Sequence, residues 1–257
     1  MTIKEFIPIN QLMPYVQCFK IIESELETIN RILPNNSSTI AFQLQGKISY
    51  IENEKEIELP TAFFSGLRKT ARFINYKKKS KSLVIQFTEI GASSLFGVAL
   101  FEFYGKSIPL NILMEKEEKN NLESKLNENV NDRQLISVAE NFLMSKLSYC
   151  KIDKLIKKSI SEIYKHNGII KIKDLADNLF ISQDAFEKRF RNAIGASPKK
   201  FASIVQLKNV IKKEPQLSLT EFALECGFYD QAHFNHSFKL FTGATPSEFY
   251  NALDDFC

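Results

Sequence analysis

The 257-residue chain contains no tryptophan, three histidines and four cysteines, and each scarcity removes a class of function. The histidines are His166, His233 and His236, so nothing before residue 166 can supply the imidazoles of a two-His-one-carboxylate metal site. The cysteines (Cys18, Cys150, Cys226 and Cys257) form no C-x-x-C pair and no regular spacing, which reads as reduced thiols of a cytosolic protein. No window approaches the roughly eighteen apolar residues of a membrane-spanning helix. The N-terminal MTIKEFIPINQLMPYVQ is broken by Pro8 and Pro14 and lacks the apolar centre of a signal peptide. No G-x-S-x-G, phosphate loop or Cys/His dyad is present, and His233 and His236 stand three apart without an HExxH pattern. These absences argue against an enzyme, call for no cofactor or metal and point to a cytoplasmic protein that does not meet the membrane. A net charge of +4 is compatible with a polyanionic partner without demanding one.

What is present divides along the chain into an α+β, two-domain arrangement. Residues 1–112 are read as a mainly antiparallel β domain with flanking helices. Short apolar or alternating segments at Thr39–Leu44, Lys47–Ile51 and Lys81–Phe87 are bounded by Pro34-Asn35-Asn36, Gln45-Gly46 and Asn53-Glu54. The period turns helical around Gly91 to Tyr104. Residues 113–150 form a helical connector, with stripes at Leu122 and Leu126 and at Leu135, Val138 and Phe142, and a break over Asn127 to Asp132. The stripes fit packing onto the chain's own domain or a dimer surface. From 151 to 257 the pattern is all-α, with seven helices. They run over Asp153–His166, Ile172–Leu179, Ser182–Ile194, Pro198–Lys213, Leu219–Glu225, Asp230–Phe241 and Pro246–Leu253, with Pro215 as a breaker.

Within that half one phrase is said twice. Phe186, Phe190, Gly195, Ala196, Ser197, Pro198 and Phe201 return 48 residues later as Phe234, Phe238, Gly243, Ala244, Thr245, Pro246 and Phe249. Two Phe four residues apart share a helix face and pack inward. Glycine supplies the left-handed stop, Ser or Thr caps the next helix, and Pro occupies its first position. A shorter helix with a small residue, Ala176 or Ala223, precedes each copy, so each is a helix-turn-helix unit, at about 172–194 and 219–241.

The run Gly227-Phe228, Asp230-Gln231, His233-Phe234, Phe238-Lys239, Gly243 and Thr245-Pro246, with its first-copy counterparts, makes residues 152–250 resemble the DNA-binding domain of the AraC/XylS transcriptional regulators. The N-terminal half, with Leu33-Pro34-Asn35-Asn36 leading into Ile40 to Leu44, is similar to the reduced β sensor domain of some members. The resemblance implies sequence-specific DNA binding, with Ser182–Asn192 and Asp230–Phe241 as recognition helices in two successive major grooves. It also implies promoter DNA as partner, with RNA polymerase and a small-molecule effector as further candidates, in a monomer or homodimer.

On the helix faces, Ala185, Phe186 and Phe190 are expected inside the first unit and Phe234 and Phe238 inside the second. The outward residues carry the assigned DNA contacts. Gln183 belongs to the first outward face, Gln231 and Asn235 suit adenine edges, Glu187 can accept from cytosine N4, and Lys188 can reach guanine or phosphate. Arg191, Lys199, Lys200 and Lys239 would hold the DNA backbone, and His236 completes the second face. Lys188, His236, Gln206 and Tyr250 stand where the family usually has Arg, and Arg189 where it is often apolar. Asp184 and Glu187 put carboxylates on a DNA-facing surface, which lowers non-specific affinity. A helical protein-interaction module without DNA binding is the alternative reading. In the β domain, Arg68, Lys69 and Arg72 would favour an anionic effector, while Lys77 to Lys81 read as a solvated turn.

Overall fold

The computed structural model describes residues 1–52, 54–128, 131–213 and 218–251. The Pro215 breaker, Asn53, the middle of the Asn127–Asp132 break and the chain after Asn251 lie outside them. Among the described residues ten strands form first: β1 (Thr2–Phe6), β2 (Val16–Ser24), β3 (Thr28–Ile32), β4 (Thr39–Gln45), β5 (Ile48–Glu52), β6 (Lys55–Glu58), β7 (Ala62–Ser65), β8 (Arg72–Tyr76), β9 (Ser80–Phe87) and β10 (Ser107–Pro109). They make a six-stranded sheet in the order β1-β2-β9-β4-β7-β10 and a four-stranded sheet in the order β3-β8-β5-β6, antiparallel throughout.

Alternation along β9 decides how the sheets pack. Leu83, Ile85 and Phe87 face one side, aligned with Ile21 and Phe19 of β2 and Phe42 and Ile40 of β4. This face is covered by α1 (Gly91–Phe96), α2 (Lys116–Asn127) and α3 (Asp132–Lys146). Leu122, Leu126, Leu135, Ile136, Ala139 and Leu143 lie in the same buried cluster as the sheet residues. The stripes of segment 113–150 are thus buried against the chain's own sheet, since burying them there removes apolar area from water. On the opposite face Val84, with Ile22, meets Ile48, Ile74 and Tyr76, which joins the two sheets.

Seven helices follow among the described residues: α4 (Lys154–Lys165), α5 (Ile172–Asn178), α6 (Gln183–Ile194), α7 (Pro198–Val210), α8 (Leu219–Glu225), α9 (Gln231–Thr242) and α10 (Pro246–Asn251). All seven agree with the sequence reading, although α7 ends at Val210 rather than Lys213. Two cores divide them. Ile156, Ile160, Ile163, Leu175, Phe186, Phe190 and Phe201 build the first. Phe222, Phe228, Phe234, Phe238, Phe241 and Phe249 build the second. The long α7 serves both, giving Phe201 and Val205 to one and Ile204 and Leu207 to the other. Among the described residues no helix is long and apolar enough to cross a membrane, and no cluster of three or more His, Cys, Asp or Glu could hold a metal.

The β domain touches both helical units. Leu67 and Ile90 are buried in the first helical core. The Tyr164 hydroxyl donates to Glu89 and accepts from Asn36 Nδ2 at 2.6 Å. Lys208 Nζ donates to Asn35 Oδ1 at 3.1 Å, and Arg31 donates to the Thr242 carbonyl at 3.2 Å.

Candidate nucleic-acid interface

Each unit is built by the repeated residues. In the first, Phe186 and Phe190 meet edge-to-face with ring centroids 5.7 Å apart, and Phe190 meets Phe201 at 5.6 Å. In the second, Phe234, Phe238 and Phe249 repeat this at 5.4 and 5.3 Å. Rings so buried contribute about 2–3 kcal/mol each by area, and edge-to-face pairing adds to that. Ser182 caps α6 through the Ala185 N–H, and Asp230 caps α9 through the His233 N–H at 2.7 Å. Gly195 (φ 90°) and Gly243 (φ 81°) end the two helices in the left-handed region.

The turns differ by one residue. In the first, the Ile181 N–H reaches the Ala176 carbonyl at 3.2 Å, with Phe180 in the left-handed conformation at φ 56°. In the second, the Phe228 N–H reaches the Ala223 carbonyl at 3.0 Å with Gly227 at φ 79°, and Tyr229 is the additional residue. Small Ala176 and Ala223, both fully buried, let the helices cross closely.

The predicted contact residues fall on two helix faces and are not equally available. Gln183, Lys188 and Arg191 on α6, and His236 and Lys239 on α9, are exposed. Glu187 is half-buried in a chain of side chains: it accepts from Gln183 Nε2 at 3.0 Å and from Arg191 at 2.9 Å. The i,i+4 pair with Arg191 neutralises the carboxylate and reduces the cost foreseen for an acid facing phosphate. Gln231 is half-buried, with Oε1 accepting from the Thr220 hydroxyl at 2.7 Å, so its NH2 group remains as donor. Asn235 is half-buried, and its Oδ1 is shielded without a partner among the described residues.

One expectation is corrected. Ala185 is exposed, because the inner face of α6 is centred on Phe186, Phe190 and Ile194, and a residue one step before Phe186 turns about 100° away. Lys200, expected on the DNA backbone, sets its ammonium over the Tyr104 ring of the β domain at 4.6 Å. Arg189 makes a bidentate pair with Asp153, at 2.6 and 3.0 Å, and Asp153 also caps α4. That pair spans 36 residues, which explains a cation where an apolar residue is usual.

Two departures from the family pattern also gain a local reason. Gln206 donates to the Cys226 carbonyl at 2.9 Å and Tyr250 donates to the Val210 carbonyl at 3.0 Å, so both tie α7 to the second unit. The sequence reading missed two aromatics beside α6 and α9. Phe180 is 97% exposed and Tyr229 is 87% exposed, in the turns ahead of α6 and α9. Only their place within the turns could have separated them from the many core rings.

Comparison with known proteins agrees with this geometry. Residues 175–252 match the model of a helix-turn-helix domain, and residues 4–109 match a domain of unknown function, DUF6597. The chain is similar to the Msm operon regulatory protein of Streptococcus mutans, with 28% identity over 102 residues, 39% of this chain and 36% of that protein. It is 33% identical over 102 residues to the uncharacterized transcriptional regulatory protein YesN of Bacillus subtilis, covering 38% of this chain and 27% of that one. The chain therefore spans about a third of the length of the curated relatives it matches. Among solved structures, ToxT from Vibrio cholerae aligns over 98% of both chains at 14% identity, with a TM-score of 0.45. The C-terminal part of this chain thus matches a helix-turn-helix domain, built here as two such units, and the N-terminal part matches DUF6597.

Proposed function

We propose that the protein is a sequence-specific DNA-binding transcriptional regulator that lays α6 and α9 into successive major grooves of promoter DNA. The observation that carries this reading is the duplication itself: two capped helices share one scaffold and present different polar residues. Identical scaffolds with different faces suit an asymmetric pair of half-sites. On α6, Gln183, Glu187, Lys188 and Arg191 form the contact set, with Glu187 held ready to accept from a cytosine amine. On α9, Gln231, Asn235, His236 and Lys239 form it. Gln231 offers its NH2 to a purine N7 or a thymine O4, since Thr220 already donates to its carbonyl. Phe180 and Tyr229 would lie along the sugar-phosphate rims, where an exposed ring is covered on binding.

The β domain is the sensing half in this reading, gripping both units through Leu67, Ile90 and Arg31. Binding to promoter fragments should weaken with salt along a straight line in log K against log[salt], the slope counting the phosphates neutralised. Replacing Gln231 and Asn235 together by Ala should cost about 1–3 kcal/mol in discrimination at the base pairs read by α9, with little change in that slope. A protein that shows no binding at low salt, or a double variant with unaltered sequence preference, would overturn the proposal.

A further inference from the structure

The segment Leu67–Arg72 is a strap between the two helix-turn-helix units. Leu67 at its start is buried in the core of the first unit. Near its end, the Ala71 Cβ stands 3.9 Å from the point that a Cβ on Gly243 would occupy, at the C-terminal end of α9. The strap carries two arginines. Arg72 donates to Ser107 Oγ and to the Gly105 carbonyl, both at 3.1 Å, and stacks on the Tyr50 ring with 4.2 Å to the centroid. Ser107 Oγ also shares a 2.7 Å hydrogen bond with Ser65 Oγ. Two hydroxyls have two hydrogens and their mutual bond uses one, so one remains to donate elsewhere.

Arg68 is half-buried beside Arg72 and Tyr50, and burial together with the Arg72 charge pulls its guanidinium down to about 10. Among the described residues neither Arg68 nor Arg72 makes an ion pair, although ion pairs such as Lys4–Asp132, Lys81–Glu23 and Arg189–Asp153 form elsewhere. Cations drawn together and partly out of water without a carboxylate are costly to the free protein. A guanidinium fork is also the side chain best matched to a planar or tetrahedral oxyanion.

We propose that Arg68 and Arg72, with the Ser65–Ser107 hydroxyl pair, form a binding site for a small oxyanion, the carboxylate or phosphate group of a soluble ligand. The proposal rests on the reading of the β domain as the sensing half and names its ligand chemistry. Because the site lies on the strap, the ligand would sit between the anchors of the two DNA-reading units.

The test is thermal unfolding of the full chain in a zwitterionic buffer, with sodium chloride holding ionic strength constant. Inorganic phosphate is added in one series and succinate in the other, which separates the two sources of the oxyanion. At ten times the apparent Kd, the responding anion should raise Tm by about 2–4 °C. Arg68→Leu should lose that rise, and Lys78→Leu, which removes one exposed charge elsewhere, should keep it. If Arg68→Leu does not fold, Arg68→Lys decides instead: its response should fall several-fold, because the ammonium lacks the fork. No response to either anion in the wild type up to tens of millimolar, or a response equal in wild type and Arg68 variant, overturns the proposal. Gel-shift binding to promoter DNA without added anion reports separately on the regulator reading, so the two fail independently.

Discussion

Gly195 and Gly243 occupy the same place in the two repeats, yet substitution by alanine should cost very different amounts. Gly195 ends α6 and Gly243 ends α9 in the left-handed region, at φ 90° and 81°. Alanine there costs about 1 kcal/mol in either case, from the clash of Cβ with its own carbonyl. The surroundings then separate them. A Cβ on Gly243 meets nothing closer than 3.9 Å, an ordinary van der Waals distance. A Cβ on Gly195 comes within 2.9 Å of the Leu100 carbonyl oxygen and 3.3 Å of the Leu100 Cβ, on the β domain. Backbone cannot swing aside as a side chain can, so overpacking adds about 1–3 kcal/mol. Gly243→Ala should therefore lose about 1 kcal/mol and Gly195→Ala about 2–4 kcal/mol, read by urea unfolding of the full chain at fixed concentration. Equal losses would refute the reasoning, because they would mean that the β domain does not press on the end of α6.

Three further outcomes follow from individual contacts. Phe180 adopts φ 56° with its ring in solvent, so Phe180→Gly should stabilise the fold by about 0.5 kcal/mol in urea titration, the relieved clash exceeding the entropy cost of glycine. A loss of 1 kcal/mol or more would show that the ring packs. Arg189→Met should cost about 1 kcal/mol and speed amide exchange in the first turn of α4, since the bidentate pair to Asp153 is lost; unchanged exchange would contradict the link. Asp132 is held below its ordinary 3.8 by hydrogen bonds from Lys4 and Lys81. A depressed carboxyl pKa stabilises the fold above the ordinary value, and that stabilisation is lost as pH falls from about 4 through the native pKa. Asp132→Asn should accordingly flatten this part of the acid unfolding curve, and an unchanged curve would assign the acid sensitivity elsewhere.

The helical half was largely legible because its signals are local. Caps at Ser182, Asp230, Ser197 and Thr245, the stops at Gly195 and Gly243 and the Phe spacing each act within a few residues. The same locality placed the strands around Thr39–Gln45 and Ser80–Phe87. It could not reveal β1, whose residues are mostly exposed and carry no buried stripe. Nor could it foresee contacts across long separations. Arg31 reaches the Thr242 carbonyl over 211 residues, Lys208 reaches Asn35 over 173, and Lys200 is drawn to Tyr104. The predicted contact residues could be placed on two helix faces from sequence, but their states could not. Glu187 is engaged by Gln183 and Arg191, and the shielding of the Asn235 oxygen depends on three-dimensional packing.

The duplicated unit gains its meaning only if both copies meet DNA together. Hydroxyl-radical footprinting of the full chain on a bound promoter fragment tests this most directly. Two protected patches are expected on one face of the duplex, about one helical turn (10–10.5 base pairs) apart, with Lys188→Ala weakening one patch and Lys239→Ala the other. A single patch, or two patches that both variants weaken alike, would contradict the claim that α6 and α9 read separate half-sites.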